Sequence, residues 1–134
     1  LNIIEADSGS LYHGVKNTDK GFMDFGEVYF SSVKKDKTKA WKLHKEMTLN
    51  LFVPIGSVQF CFVDGREKSK TYNEKFGIIL SQNPYLRLTV PPGLWFGFRG
   101  ISEGLNFICN VADIPHDPDE VLRKELNEIE WSSV

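Results

Sequence analysis

Hydrophobic and polar residues alternate along much of this chain. Val58, Phe60 and Phe62 oppose Gln59 and Cys61, and Leu86, Leu88 and Val90 oppose Tyr85, Arg87 and Thr89. A period of two marks a β-strand with one face packed and the other turned elsewhere. Similar runs cover Glu27 to Val33, Ala40 to Leu43, Thr48 to Val53, Ser57 to Val63 and Lys75 to Leu80. Leu86 to Val90, Trp95 to Phe98 and Leu105 to Val111 complete the series. The turn-forming stretches PIGS, VDGREKSK, SQNP, PPG and SEG separate them. Short strands at regular spacing predict an all-β sandwich or barrel. Residues 1–27, rich in Gly, Asp and Ser, predict a loose edge strand with loops. Only the tail, DPDEVLRKELNEIEW, predicts a short C-terminal helical segment, with Asp117 or Asp119 near its start and acids in its first turn.

One strand carries an unusual face. In KAWKLHKE, Trp41 and Leu43 lie on one side, while Lys42, His44 and Glu46 lie on the other, followed by Asn50 if the phase survives the turn. If the aliphatic faces pack between sheets, the polar faces point outward. If a barrel keeps an open lumen, Lys42, His44, Gln59 and Arg87 converge inside it. Alternation alone is compatible with both arrangements.

The chain has 134 residues, 41% of them hydrophobic and 25% charged, which predicts one globular domain spanning 1–134. The formal charge of −2 gives no reason to expect nucleic acid or an anionic membrane as a partner. A small anionic ligand needs only a local cluster of cations. No apolar run approaches the roughly 20 residues of a membrane helix. The opening LNIIEADSGS lacks the basic and apolar regions of a signal peptide. Cys61 and Cys109 lie within apolar runs and are expected to be buried free thiols, which fits a cytoplasmic location; a disulfide between them stays open.

Several segments, taken in order, resemble those of the sugar-nucleotide 3,5-epimerases, such as dTDP-4-dehydrorhamnose 3,5-epimerase, and 3,4-ketoisomerases of the RmlC-like cupin fold. DKGFM is similar to that family's opening D-x-R-G-x-F element, with Lys20 at the arginine position. Lys39, Ala40, Trp41, Lys42, Leu43 and His44 stand in register with R-G-x-H-x-[HQ]. VPIGSVQFCFVDGR resembles the V-x-G-x-[VI] run that leads to an Asp-containing turn. LSQNPYLRLTVPPGLWFGF resembles L-S-x-x-N-x-x-x-L-x-[IV]-P-x-G-x-x-H-G-F, the most specific match, and the acidic ending before Trp131 is also similar. The resemblance covers about Asp19 to Trp131. It implies a cupin jelly roll, a homodimer, and an enzyme of bacterial surface-polysaccharide (lipopolysaccharide) synthesis acting on a nucleotide-linked 4-keto-6-deoxy sugar. It also turns Lys42 and His44 into the lumen.

The chain departs from the family at informative places. Lys42 stands where the family has its catalytic histidine, Phe96 replaces the histidine of the P-x-G-x-x-H element, and NVADIPHDP offers no counterpart to the epimerase tyrosine. Proton removal next to a ketone needs a base near the carbon and a cation or donor near the oxygen. His44 suits the base role near neutral pH, and Lys42 suits stabilisation of the enolate. A neutral Lys42 acting as the base is the other assignment. Lys20, Lys39, Lys45 and Arg87 are candidates for the diphosphate. Trp41, Trp95 and Phe96 can stack on a base or sugar, or else fill the core, and His116 has loop context near a site mouth. Asn50 and Gln59 complete the substrate-binding candidates. No metal or other cofactor is expected, because the places of the cupin ligand set leave one good ligand here. A sugar-nucleotide-binding cupin without activity is the rival reading, and a plain β-sandwich with Lys42 and His44 in solvent is the third.

Overall fold

The computed structural model describes residues 1–131. Eleven strands are present: β1 (Ile3–Ile4), β2 (Leu11–Tyr12), β3 (Glu27–Val33), β4 (Thr38–His44), β5 (Leu49–Ile55), β6 (Ser57–Asp64), β7 (Lys75–Ser81), β8 (Arg87–Val90), β9 (Leu94–Gly100), β10 (Asn106–Ala112) and β11 (Val121–Arg123). The alternating runs of the sequence therefore become strands nearly residue for residue. β1 and β2 form a small hairpin, and the others build two antiparallel sheets, ordered β3-β10-β5-β8 and β11-β4-β9-β6-β7.

The two sheets face each other across one apolar layer. Leu49, Leu51 and Val53 of β5, Val58, Phe60 and Phe62 of β6, and Ile108 and Ala112 of β10 meet there with Val33, Leu80, Val90 and Phe96. Period-two alternation makes this arrangement self-consistent, because every second residue of each strand reaches the shared layer. Leu1, Ile3 and Val15 of the N-terminal segment pack on Phe52, Tyr85, Cys109 and Val111, covering part of the outer face of the four-stranded sheet. Cys61 and Cys109 are both free and buried; burial pushes the Cys109 thiol up to about 11.

The tail differs from the expected helix. Pro118–Glu120 and Leu126–Glu128 are single 3-10 turns, and between them β11 pairs antiparallel with β4, Val121 opposite His44 and Arg123 opposite Lys42. Tertiary pairing overrides the local preference here. Trp41 and Lys124 exchange backbone hydrogen bonds at 3.0 and 3.2 Å, and the indole N–H of Trp41 donates to the Leu126 carbonyl at 3.3 Å. An isolated helix of this length is marginal in water, so a few such bonds decide the outcome.

Candidate functional site

β4 pairs with β9 through a register shift between Lys39 and Lys42, after which Lys42 stands opposite Phe96. Phe96 belongs to the core, so Lys42 and, two residues on, His44 share its inward face. Lys42 reaches a cavity of about 420 Å³ between the sheets. Tyr29 and Ser31 of β3, Leu51 of β5, Ile108 and Asn110 of β10, and Phe60, Phe96 and Phe98 of the opposite sheet wall it. Lys39, Ala40, Trp41, Arg123, Lys124 and Glu125 complete the lining.

Electrostatics follow from that placement. Burial, reinforced by the Arg123 and Lys39 charges, holds the Lys42 ammonium below the ordinary lysine value. Burial pushes the Tyr29 phenol up, with Glu27 and Glu120 adding to the rise and the Asn110 amide opposing it. His44 lies one inward position beyond Lys42, only 6% exposed, with its ring stacked on Phe96 at 5.9 Å. Its Nδ1 meets the carboxylate of Glu120, itself 4% exposed. The amides of Glu46 and Met47 also donate to that carboxylate, at 3.2 and 3.3 Å. Burial pushes the Glu120 pKa up, but these donors together with His44 outweigh it and leave the group below its usual range. A carboxylate accepts only, so Nδ1 is the ring nitrogen that donates to Glu120, and the contact fixes the orientation of the imidazole.

The other expected residues are dispersed. Arg87 does not join Lys42: its guanidinium pairs with Asp19 and donates to the Lys20 carbonyl at 2.7 Å. This occurs on the outer side of the four-stranded sheet, because Leu88 and Val90 take the inward positions of β8. Gln59 is likewise on the outer face of its sheet, between inward Val58 and Phe60, where it is buried and engaged. The lumen convergence of Gln59 and Arg87 with Lys42 is thus corrected by strand phase. Asn50 is outward too; its amide donates to the Gly21 carbonyl at 3.1 Å and its oxygen accepts from Thr89 at 2.8 Å. Trp95 lies under the Lys124 ammonium at 4.6 Å, whereas Trp41 lines the Lys42 cavity and packs against Trp131 at 5.5 Å. Lys20, Lys45 and His116 are exposed, whereas Lys39 stands at the cavity and donates to the Ser32 carbonyl at 2.8 Å. Among the described residues, no group of three or more His, Cys, Asp and Glu side chains is placed to hold a metal ion.

A second cavity, about 400 Å³, is lined by Phe62, Phe76, Leu88 and Leu94 with the turn after β6. Its main carboxylate is already satisfied: Asp64 accepts from Arg66 at 2.8 and 2.9 Å and from Thr71 at 2.6 Å. The cavity around Lys42 is the better candidate, since its charges are unbalanced and its polar groups face inward.

This chain superposes on a dTDP sugar isomerase from Desulfovibrio desulfuricans G20 with a TM-score of 0.92 and 34% sequence identity, over 98% of this chain and 85% of that one. The chain belongs to the dTDP-sugar isomerase family. A dTDP-4-dehydrorhamnose 3,5-epimerase from Sulfolobus tokodaii shares the fold at a TM-score of 0.83 and 20% identity, covering 96% of this chain and 76% of its own. The spore coat polysaccharide biosynthesis protein SpsL of Bacillus subtilis (strain 168) is 25% identical over 120 residues, 90% of this chain and 80% of that protein. No family sequence model matches. The cupin jelly roll expected from the motif order is therefore the fold of this family member. Sequence reasoning missed Tyr29, Asn110, Glu120 and Arg123. Glu120 and Arg123 were hidden in the tail taken for a helix. Tyr29 and Asn110 lie in strands that were recognised but whose inward phase was not assigned.

Proposed function

We propose that this protein is an epimerase or isomerase that moves protons next to the ketone of a nucleotide-linked 4-keto-6-deoxy sugar, in the synthesis of a bacterial surface polysaccharide. The supporting observation is the cavity between the sheets, where Lys42 and Tyr29 project inward and Lys39, Arg123 and Lys124 supply the charge for a diphosphate. His44 is the base: Nε2 takes the proton from the carbon beside the ketone while Glu120 holds Nδ1. The electron pair passes to the carbonyl oxygen, and the Lys42 ammonium stabilises the enolate. The hydroxyl of Tyr29 then returns a proton to carbon, and exchange with solvent restores neutral His44 and the Tyr29 phenol, so that the net change is one of configuration. A change of ketone position requires in addition that the neighbouring hydroxyl proton pass to the carbonyl oxygen before the other carbon is protonated.

A second assignment has its own support. Lys42 lines the cavity, whereas His44 lies behind it, and the lowered Lys42 pKa favours the neutral amine a base requires. Lys42→Arg separates the two, because arginine keeps the cation but cannot act as a base. Incubation with a dTDP-linked 4-keto-6-deoxyhexose in deuterated water tests the whole reading. Label at C3 or C5 is expected, with loss in His44→Asn. Tight binding without label would leave a sugar-nucleotide-binding protein instead.

The same reading includes a homodimer in the cytoplasm. Val28 and Phe30 of the edge strand β3 are exposed, with Phe30 stacked on Phe107 at 5.3 Å, and Met23, Phe25 and Ile55 are exposed as well. A second copy laid on this apolar surface would cover it. The free thiols of Cys61 and Cys109 suit a reducing compartment.

A further inference from the structure

Asn110 sits on β10 between Ile108 and Ala112, both core residues, so its side chain points between the sheets. It is 4% exposed and lines the cavity that holds Lys42. Its Oδ1 is buried and accepts no hydrogen bond from any described residue. Buried polar atoms are nearly always paired, so an unpaired acceptor on a cavity wall calls for a donor from whatever fills the cavity. Tyr29 is its neighbour on that wall, and the Asn110 side chain opposes the rise of the Tyr29 phenol pKa. The oxygen is the end left to face a ligand.

The chemistry of the wall narrows what that ligand group can be. Lys42, Lys39, Lys124 and Arg123 only donate hydrogen bonds, the Tyr29 and Ser31 hydroxyls can do both, Glu125 accepts, and Leu51, Ile108 and Phe60 offer none. A ketone or phosphate oxygen would turn to the cations and would repel the lone pairs of Oδ1. A hydroxyl can donate to it.

We propose that Asn110 is a specificity-determining residue that accepts a hydrogen bond from one ring hydroxyl of the sugar. The proposal rests on the nucleotide-sugar reading above. A substrate with that hydroxyl completes the pairing of a buried acceptor, and one without it leaves the acceptor stranded. Sites of this kind discriminate strongly against the analogue that lacks the group, on the order of tenfold to hundredfold for a single neutral bond.

The test uses the full chain and a set of dTDP-linked 4-keto-6-deoxyhexoses: the parent sugar and analogues lacking the hydroxyl at C2 or at C3. Binding and kcat/KM are measured for the wild type, Asn110→Leu and Asn110→Ser, with a thermal melt to establish folding. The wild type is expected to disfavour one deoxy analogue by tenfold or more. Asn110→Leu is expected to lose that preference while leaving the ratio for the other analogue unchanged, and Asn110→Ser to keep part of it. A wild type that treats all three sugars alike overturns the proposal, as does a variant that keeps the full ratio. Should the wild type bind none of the sugars, the nucleotide-sugar reading itself falls. Binding and turnover without hydroxyl discrimination would remove only the role of Asn110.

Discussion

Glu120→Gln probes the most buried charge near the site. The carboxylate accepts from His44 Nδ1 and from the amides of Glu46 and Met47, and only 4% of Glu120 is exposed. Glutamine fits the space but has one acceptor oxygen and one NH₂. If its oxygen serves His44, its NH₂ faces two backbone N–H donors that lose their partner. If the oxygen serves the amides, His44 loses the acceptor that fixes its tautomer. Charge-assisted hydrogen bonds contribute about 1.5–3 kcal/mol and an unsatisfied buried donor costs about 1–3 kcal/mol. The two amide contacts are long, so a net loss of about 2–4 kcal/mol is expected. Unfolding entropy of about 2.1 cal/mol/K per residue gives roughly 0.28 kcal/mol/K over 134 residues. Tm should then fall by roughly 7–14 °C at pH 7.

The pH dependence gives this prediction a second edge. In the folded protein the Glu120 pKa lies below its ordinary value of 4.5. A depressed carboxylate contributes stability that is full above the unfolded value and is lost as pH falls through the folded one. The difference in Tm between wild type and Glu120→Gln should therefore hold from neutral pH down to about 5 and shrink below it. Differential scanning calorimetry across that range measures both quantities. A variant within about 2 °C of the wild type at pH 7, or a gap that persists unchanged at acid pH, would refute the buried-carboxylate account.

Other sites give sharp expectations. Gly97→Ala places a methyl 2.5 Å from the Ala40 Cβ and 3.1 Å from the Lys39 carbonyl, forcing β9 away from β4; a loss of about 1–3 kcal/mol in urea unfolding is expected. If the Lys42 ammonium stabilises the enolate, activity should decline on the alkaline side below pH 10.5, and Lys42→Arg should move that decline upward. A base role predicts activity rising through the same titration and abolished in the arginine variant. The pair Arg123→Ser and Lys124→Ser should weaken dTDP binding by about tenfold to a hundredfold in calorimetry and flatten its salt dependence.

The strands were legible because their alternation is strong, and their boundaries differ from the structure by only a residue or two. Phase was harder. In EVYFSSV the more apolar set, Val28 and Phe30, is exposed, while Tyr29, Ser31 and Val33 point between the sheets. In NFICNVA, Phe107, Cys109 and Val111 take the outer side and Ile108, Asn110 and Ala112 the inner one. Hydrophobicity identifies an inner face only when the other face meets water. Here the N-terminal segment covers the part of the outer face around Cys109 and Val111, so both sides of β10 are buried there and the alternation loses its sign. That is why Asn110 carries no mark in the sequence, while Tyr29 carries none because the exposed face of β3 is the more apolar one. Gln59 and Arg87 show the converse, since Phe60 and Leu88 beside them fill the core and fix the polar residues outside.

The tail shows where local reasoning stops. Its acids at the start of a fifteen-residue stretch are good helix signals. Two residues of the stretch have a tertiary use that a helix would forfeit: Glu120, closing a single 3-10 turn, reaches His44, and Arg123 pairs with Lys42 to stand at the cavity. A β11 of only three residues has little stability of its own, so the pairing is held by contacts on both flanks. On one side is the buried carboxylate, with the Lys45 amide donating to the Glu120 carbonyl at 2.9 Å; on the other, Trp41 against Trp131. The residues that anchor the segment are thus interleaved with those that furnish the site. A change such as Glu120→Gln should therefore disturb stability and the cationic rim together, whereas a change in the Arg123 side chain should act on the rim, and one in Lys124 on the rim and on its contact with the Trp95 ring.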